Sequence, residues 1–313
     1  MRIVIHGAGA VGGYFGARLV EAGEDVVFVA RGPQLAALRS GGLRIESIAG
    51  DVRLDRVAAT DDPASLGKTD AVLVTTKTWQ VEAAGRALRP LVGRHTVVVP
   101  LQNGVEAATQ LERSLPAEAV AGGLTRILCE LVEPGRIRHT GIDPVIVMGE
   151  RDGRRTGRCD RLAAALEQAP GVSVVVSDDI EAELWHKLLL MASVSGVCSV
   201  ARVPLGEVRA TPPARDLLRR SMEETAAVAA ARGVRLPDGV IAASLAFLDG
   251  LPCGSIPSMH RDIAAGRPSE LEQLSGAVVR LGRECGVATP LHQFMHAALL
   301  PSELAARGDR PGR

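Results

Sequence analysis

Apolar residues follow two rhythms along this chain, and the change near residue 177 divides it. In the first part, short apolar runs bounded by glycine or polar residues alternate with stretches of helical spacing. Arg2-Ile-Val-Ile-His6 runs into glycines and reads as a buried parallel strand. A helix is expected over residues 11–22, a second strand over 25–30 and another helix from 34–39. Residues 43–47 and 52–57 alternate apolar with polar around Ala49-Gly50-Asp51, which predicts an antiparallel hairpin inserted at the surface. The first pattern then resumes, with strands over 71–75 and 95–99 on either side of a helix over 81–88. Strands joined by helical crossovers make a doubly wound sheet, whose ligand crevice lies outside the carboxyl ends of its strands. Strand-like runs within 119–148 are expected to extend that sheet. Beyond residue 177 the spacing is helical throughout, over 179–200, 213–231, 240–248 and 270–285, and no convincing strand remains. The polar tail 307–313 is expected to be loose.

The turn after the first strand supplies the first chemistry. Gly7-Ala8-Gly9-Ala10-Val11-Gly12 lies between a predicted strand and a predicted helix, as the dinucleotide fingerprint requires. Its first glycine makes the tight turn, its second lets the backbone approach a pyrophosphate, and its third lets helix pack on strand. The helix start adds free amides and a positive dipole end for the phosphates. The fold class is therefore α/β: an N-terminal Rossmann-type doubly wound sheet, residues 1–176, binding the nucleotide, and a C-terminal all-α domain, residues 177–313, for substrate and catalysis. A carboxylate at the end of the second strand holds the ribose hydroxyl of NAD, whereas a 2′-phosphate calls for a cation. Here Ala30-Arg31 stands at that point, so NADP is the expected cofactor; an ordinary solvated arginine also fits. Two more loops leave the same sheet edge, Thr76-Lys77-Thr78-Trp79-Gln80 and Gln102-Asn103-Gly104, and should border the nicotinamide, although Asn103-Gly104 is also a common turn pair.

Composition narrows the classes. The 313 residues suit two domains, since domains commonly run ~100 to 200 residues. Basic and acidic residues balance at 36 each, which argues against a chain built for nucleic acid or an anionic membrane and for a small-molecule partner. No apolar run approaching the ~20 residues of a membrane span is read from the sequence. The chain runs from Met1 straight into a strand, and its five widely spaced cysteines form no Cys-x-x-Cys pair, so a reducing cytoplasm is the expected location. His292 and His296 have a zinc-compatible spacing, but no glutamate follows His292 and no third ligand is evident. No metal is expected, and the two histidines read as solvated or capping.

Only three lysines, Lys68, Lys77 and Lys187, stand among the 36 basic residues; the rest are arginine. Where arginine is the default, a lysine draws attention, because an ammonium can donate its proton and a guanidinium cannot. Lys187 lies within the predicted helix, in Glu183-Leu-Trp-His-Lys187, where a pairing with Glu183 four residues earlier would also account for it.

Together these residues resemble the ketopantoate reductase family, the NADPH-dependent 2-dehydropantoate 2-reductases of pantothenate synthesis in the coenzyme A pathway. The resemblance spans nearly the whole chain: the glycine motif, Arg31, Lys77-x-Trp-Gln, Gln102-Asn103-Gly104, Glu183-Leu-Trp-x-Lys187-Leu, and Ser258-Met259-x-x-Asp262 with Glu270 beyond. It implies that Lys187 is the catalytic lysine, protonating or polarising the ketone oxygen as hydride arrives, and that Glu270 is the acid beside it. It implies that Ser258 binds substrate and that Asn103 and Lys77 contact cofactor and substrate. Glu270 also fits the start of a helix after Pro268, and Ser258 a helix N-cap. The implied enzyme closes its two domains on a 2-oxo acid held between them; a homodimer stays open. One departure stands out. The family's helix carries asparagines four and eight residues after its lysine, to bind substrate hydroxyl and carboxylate, where this chain has Met191 and Ser195. Methionine does neither job. A paralogue acting on a less polar 2-oxo acid is the second expectation, and a nucleotide sensor without turnover, which would need neither Lys187 nor Glu270, is a third.

Overall fold

The first apolar rhythm folds into two sheets rather than one. The computed structural model describes residues 1–309, in two compact units, the first comprising Met1–Gln102 and Glu106–Ile180, the second Asn103–Val105 and the chain from Glu181 onward. In the first, strand β1 (Arg2–His6) leads to helix α1 (Ala10–Glu21), β2 (Asp25–Val29), α2 (Gly32–Gly41), β3 (Leu43–Ser47), β4 (Val52–Leu54), β5 (Ala58–Thr60) and β6 (Ala71–Val74). Then come α3 (Val81–Leu88), β7 (Val97–Pro100), α4 (Ala107–Glu112), β8 (Gly122–Glu133), β9 (Arg136–Gly149), α5 (Gly157–Glu167) and β10 (Ser173–Val176).

The parallel sheet has the order β5-β2-β1-β6-β7. Its strands are apolar on both faces because both are covered. Ile3, Ile5, Phe28, Leu73 and Val99 point into one core with Tyr14 and Phe15 of α1, while Val4, Val72, Val74 and Val98 point into another with Leu88 and Leu111. The 43–54 hairpin forms, but not as a surface insertion. Strand β3 pairs antiparallel with β4 and parallel with β9, and Leu43 and Ile45 are buried. Nor does the 119–148 region extend the first sheet. Strands β8 and β9 pair with each other and join β10, β3 and β4 in a second sheet; among the described residues a single bridge, Val98 with Val120, reaches the first. The reason lies in which surface is apolar: Ile137, Ile146 and Met148 share the core of Ile3 and Ile5, so the hairpin covers a face of the parallel sheet instead of lengthening its edge.

The second unit is helical: α6 (Ile180–Ala201), whose first residue still counts with the first unit, α7 (Leu205–Ala210), α8 (Pro212–Ala231), α9 (Val240–Asp249), α10 (Ser258–Ala264), α11 (Ser275–Cys285) and α12 (Pro290–Arg307). Helix α6 feeds both of its cores, giving Trp185, Leu188 and Ala192 to one and Leu189, Val194, Val197 and Cys198 to the other. By length and composition α6 could cross a membrane, which the sequence reading did not anticipate, but 67% of its apolar window is buried inside the fold, as in the core helix of a globular protein. The helix expected over 270–285 begins only at Ser275. A single 3-10 turn, Leu271–Gln273, precedes it, and Leu274, with φ −104° and ψ −98°, breaks the two apart. Arg307 ends α12, and the rest of the tail expectation, from residue 310, lies outside the described residues.

Candidate functional site

Each unit carries its own set of candidate groups. In the first, β1 delivers the chain to Gly7, whose φ of +112° few side chains tolerate, and a Cβ there would lie 2.6 Å from the Thr76 amide nitrogen. At Gly12 a Cβ would collide with the Thr75 hydroxyl and the Gly7 carbonyl. Gly9 instead faces open space. The turn is tied down by its own polar groups: Gly9 N–H donates to Gly7 O at 2.8 Å, the Thr75 hydroxyl donates to Gly7 O at 2.8 Å, and Gly7 N–H donates to Val29 O at 3.0 Å. Gln34 completes it, donating to Ala8 O at 2.7 Å and accepting the Gly135 N–H at 3.0 Å. Ala8 is buried, Ala10 and Val11 are half-buried, and no side chain caps the start of α1, whose first amides therefore face outward. This cradle of backbone donors, with free space at Gly9, fits a pyrophosphate.

Arg31 is exposed just beyond β2, at the N-cap of α2. Its charge is felt at His6, whose pKa falls to about 4, first through burial and second through Arg31. The imidazole is therefore neutral at neutral pH, and the positive charge beside it is that of Arg31. Lys77 is exposed in the loop after β6, its ammonium 5.9 Å from the centre of the Trp79 ring. The loops after β6 and β7 are joined by Gln102, which donates to Thr76 O at 3.1 Å.

Asn103 belongs with the helical unit by its packing, although it directly follows Gln102. Its side-chain amide donates to Glu270 Oε2 at 2.7 Å, joining residues 167 positions apart. The approach is close: Gly104 has φ +91°, and a Cβ there would lie 2.9 Å from Gln273 O. Glu270 is half-buried, and its carbonyl accepts the N–H groups of Gln273 and Leu274. Its side chain thus projects from the entry to a 3-10 turn, not from the first turn of α11.

Lys187, Met191 and Ser195 lie four residues apart along one stripe of α6. Lys187 and Met191 are half-buried, and Met191 packs against the same core as Val105 and Ile263. Ser195 is wholly buried, its hydroxyl lacking a hydrogen-bond partner among the described residues. Ser258 is half-buried and is the first residue of α10; Pro257 holds the N-cap position. The hydrogen bonds therefore unite Asn103 with Glu270, while Lys187 and Ser258 are contributed by separate helices.

The two histidines of α12 are neither solvated nor capping. His292 is fully buried between Thr225 and the Ser221 carbonyl, each at 3.0 Å, and burial lowers its pKa to about 4. His296 bonds to Glu272 at 2.8 Å. The sequence reading also missed His6, Gln34 and Glu303. Of these only Glu303 left a signal: it continues the buried stripe His292, Met295, Leu299 with an acid where helical spacing calls for an apolar residue.

Comparison with known proteins covers both units. Residues 3–153 match the family model described as ketopantoate reductase PanE/ApbA, and residues 179–303 match its C-terminal counterpart. The chain is 33% identical over 315 residues to the 2-dehydropantoate 2-reductase of Mesorhizobium japonicum, covering 93% of this chain and 94% of that one. A crystal structure of 2-dehydropantoate 2-reductase from Geobacter metallireducens GS-15 superposes with a TM-score of 0.88 at 34% identity, over 96% of this chain and all (100%) of the other. The ternary structure of D-mandelate dehydrogenase with NADH and anilino(oxo)acetate superposes with a TM-score of 0.89 at 25% identity, over 98% of this chain and 99% of the other. With both of its units matched, the chain belongs to the ketopantoate reductase family of oxidoreductases.

Proposed function

We propose that this oxidoreductase reduces 2-dehydropantoate to pantoate with NADPH, in the cytoplasm and in the service of pantothenate synthesis. The observation that carries the reading is the hydrogen bond between Asn103 and Glu270, which pairs two residues expected at the reacting end of the site from opposite ends of the chain. In this reading the first unit binds the nucleotide. Gly7, Ala8, Gly9, Ala10, Val11 and Gly12 cradle the pyrophosphate, Arg31 grips the 2′-phosphate, and Lys77 and Asn103 border the nicotinamide. NADPH, when bound, supplies the hydride to the carbonyl carbon.

The helical unit meets the oxygen. As that oxygen gains negative charge, the Lys187 ammonium stabilises it more in the transition state than in the ground state, then gives it a proton. Glu270, fixed through Asn103, orients the ammonium and helps return the proton. Ser258 hydrogen-bonds the substrate, and Met191 and Ser195 line its far side. A single charged donor of this kind is commonly worth about 3 to 4 kcal/mol, or roughly a thousandfold in rate.

A second reading, a different and less polar 2-oxo acid, is favoured by Met191, whose thioether packs with apolar neighbours where hydrogen bonding to a hydroxyl is called for. The likeness to a mandelate dehydrogenase supports the same alternative. Steady-state rates on a panel of 2-oxo acids with NADPH and with NADH decide. The first reading expects 2-dehydropantoate to have the highest kcat/KM, with NADPH preferred; an apolar 2-oxo acid ranking above it selects the second. NADPH binding without consumption on any of them would sink both and leave a sensor.

A further inference from the structure

The residue before Glu270 is held from behind by two charged side chains of α12. Glu303 is 2% exposed. Its two carboxylate oxygens receive the Ser269 N–H at 3.1 and 3.0 Å, and Oε2 also accepts the Ser269 hydroxyl at 2.5 Å. One turn later Arg307 donates to Glu303 Oε1 at 2.6 Å and, through Nη2, to the Ser269 carbonyl at 2.9 Å. The N–H, hydroxyl and carbonyl of Ser269 thus all engage this pair, and the same hydroxyl accepts the Leu271 N–H at 3.3 Å. Glu270 therefore follows a residue held directly by the Glu303–Arg307 pair, and its other neighbour, Leu271, is tied to that residue's hydroxyl.

Stability alone is a poor account of that pair. Desolvating two charges is costly, and an apolar pair of equal volume is often as stable or more so. What the ions supply, and apolar groups cannot, is a directional hold on a backbone.

We propose that Glu303 and Arg307 are positioning residues for the reductase reaction: they lock Ser269 so that the Glu270 carboxylate stays in register with the Asn103 amide. This rests on the reading of Glu270 as the acid serving Lys187. Release of the lock lets the Ser269–Glu270 segment shift, and a displacement of about 1 Å at a reacting group costs up to roughly a hundredfold in rate. Glu303 and Arg307 bond each other and Ser269 and belong to neither the nucleotide cradle nor the proposed substrate set, so nucleotide affinity is expected to be unchanged.

The test is a kinetic cycle with Glu303→Gln, Glu270→Gln and the double variant, assayed as full-length enzymes. The inference expects Glu303→Gln to lower kcat about 10- to 100-fold, to leave KM for NADPH unchanged, to displace the acidic limb of the kcat profile, and to cost nothing further once Glu270 is glutamine. A lowered melting temperature with unchanged kcat per folded molecule, or the same fold-loss with and without Glu270, overturns it. If Glu303→Gln does not fold, Ser269→Ala replaces it in the cycle; it removes the hydroxyl's two hydrogen bonds, to Glu303 and from the Leu271 N–H, and keeps the ion pair, and its expected loss is roughly threefold to tenfold. Full turnover by Glu270→Gln would defeat the catalytic reading of Glu270 instead. The lock is then judged by a crystal structure of Glu303→Gln: an Asn103–Glu270 bond still at 2.7 Å overturns it, and a broken one supports it.

Discussion

The glycine turn of the first unit and the Asn103–Glu270 pair of the second are built in opposite ways. The turn is local in sequence: the six residues 7–12, shaped by backbone conformation and missing Cβ atoms, with Gly7 at φ +112° and Gly12 hard against Thr75. The pair is assembled from residues 167 positions apart, beside a segment held by Glu303 and Arg307 of α12 and followed by the break at Leu274. A site made of backbone tolerates little change within it and is indifferent to most changes elsewhere. One made of distant side chains depends on whatever holds them.

That contrast can be broken experimentally. The largest effect is expected from Lys187→Ala, which should lower kcat by about a thousandfold while NADPH affinity, followed by fluorescence titration, stays within about twofold; equal losses in both would mean that the two regions do not divide the work. Gly12→Val should do the reverse. Overpacking of about 1 to 3 kcal/mol predicts NADPH binding weakened about 10- to 100-fold, with little change in kcat at saturation. Arg31→Ala sharpens the nucleotide side: removing hydrogen bonds to a charged phosphate should weaken NADPH by roughly 10- to 100-fold and NADH hardly at all. Equal loss for both would show that Arg31 does not read the phosphate. On the helical side, Met191→Asn should raise the preference for 2-dehydropantoate over an apolar 2-oxo acid by about threefold to tenfold, the value of one added hydrogen bond.

The smallest effect concerns pH, and each region contributes one histidine. His6 and His292 have pKa values lowered from 6.5 to about 4, both chiefly by burial. Between those values the unfolded chain binds protons that the folded one refuses, so stability falls as pH drops from about 6.5 toward 4, by up to about 1.4 kcal/mol per pH unit for each group. Urea unfolding midpoints should therefore fall less steeply over this window in His292→Gln than in the parent. An unchanged slope would show that His292 is already protonated in the fold.

How much was legible in the sequence follows the same division. The parallel sheet, the glycine turn and the run of helices after residue 177 could be read, because each is written in local spacing. The second sheet could not: Ile137 and Ile146 look like edge-strand residues until it is known that they pack on the core of Ile3 and Ile5. Spacing likewise extended α11 back to Glu270, because nothing local marks the break at Leu274. His292 was misread because a lone histidine gives no sign of burial, while Glu303 could have been found from its place in an apolar stripe. Lys187 stands out in the sequence as one of three lysines in an arginine-rich chain, its catalytic role and that of Glu270 come through family resemblance, and the bond between Asn103 and Glu270 came only with the fold.

In the proposed reaction the Lys187 ammonium meets the ketone oxygen of a 2-oxo acid. A crystal structure of the full chain with NADP and a non-reacting 2-oxo acid analogue measures this directly. Lys187 Nζ is expected at hydrogen-bonding distance from the oxygen that replaces the ketone. A Lys187 side chain turned into solvent, with another donor on that oxygen, would contradict it.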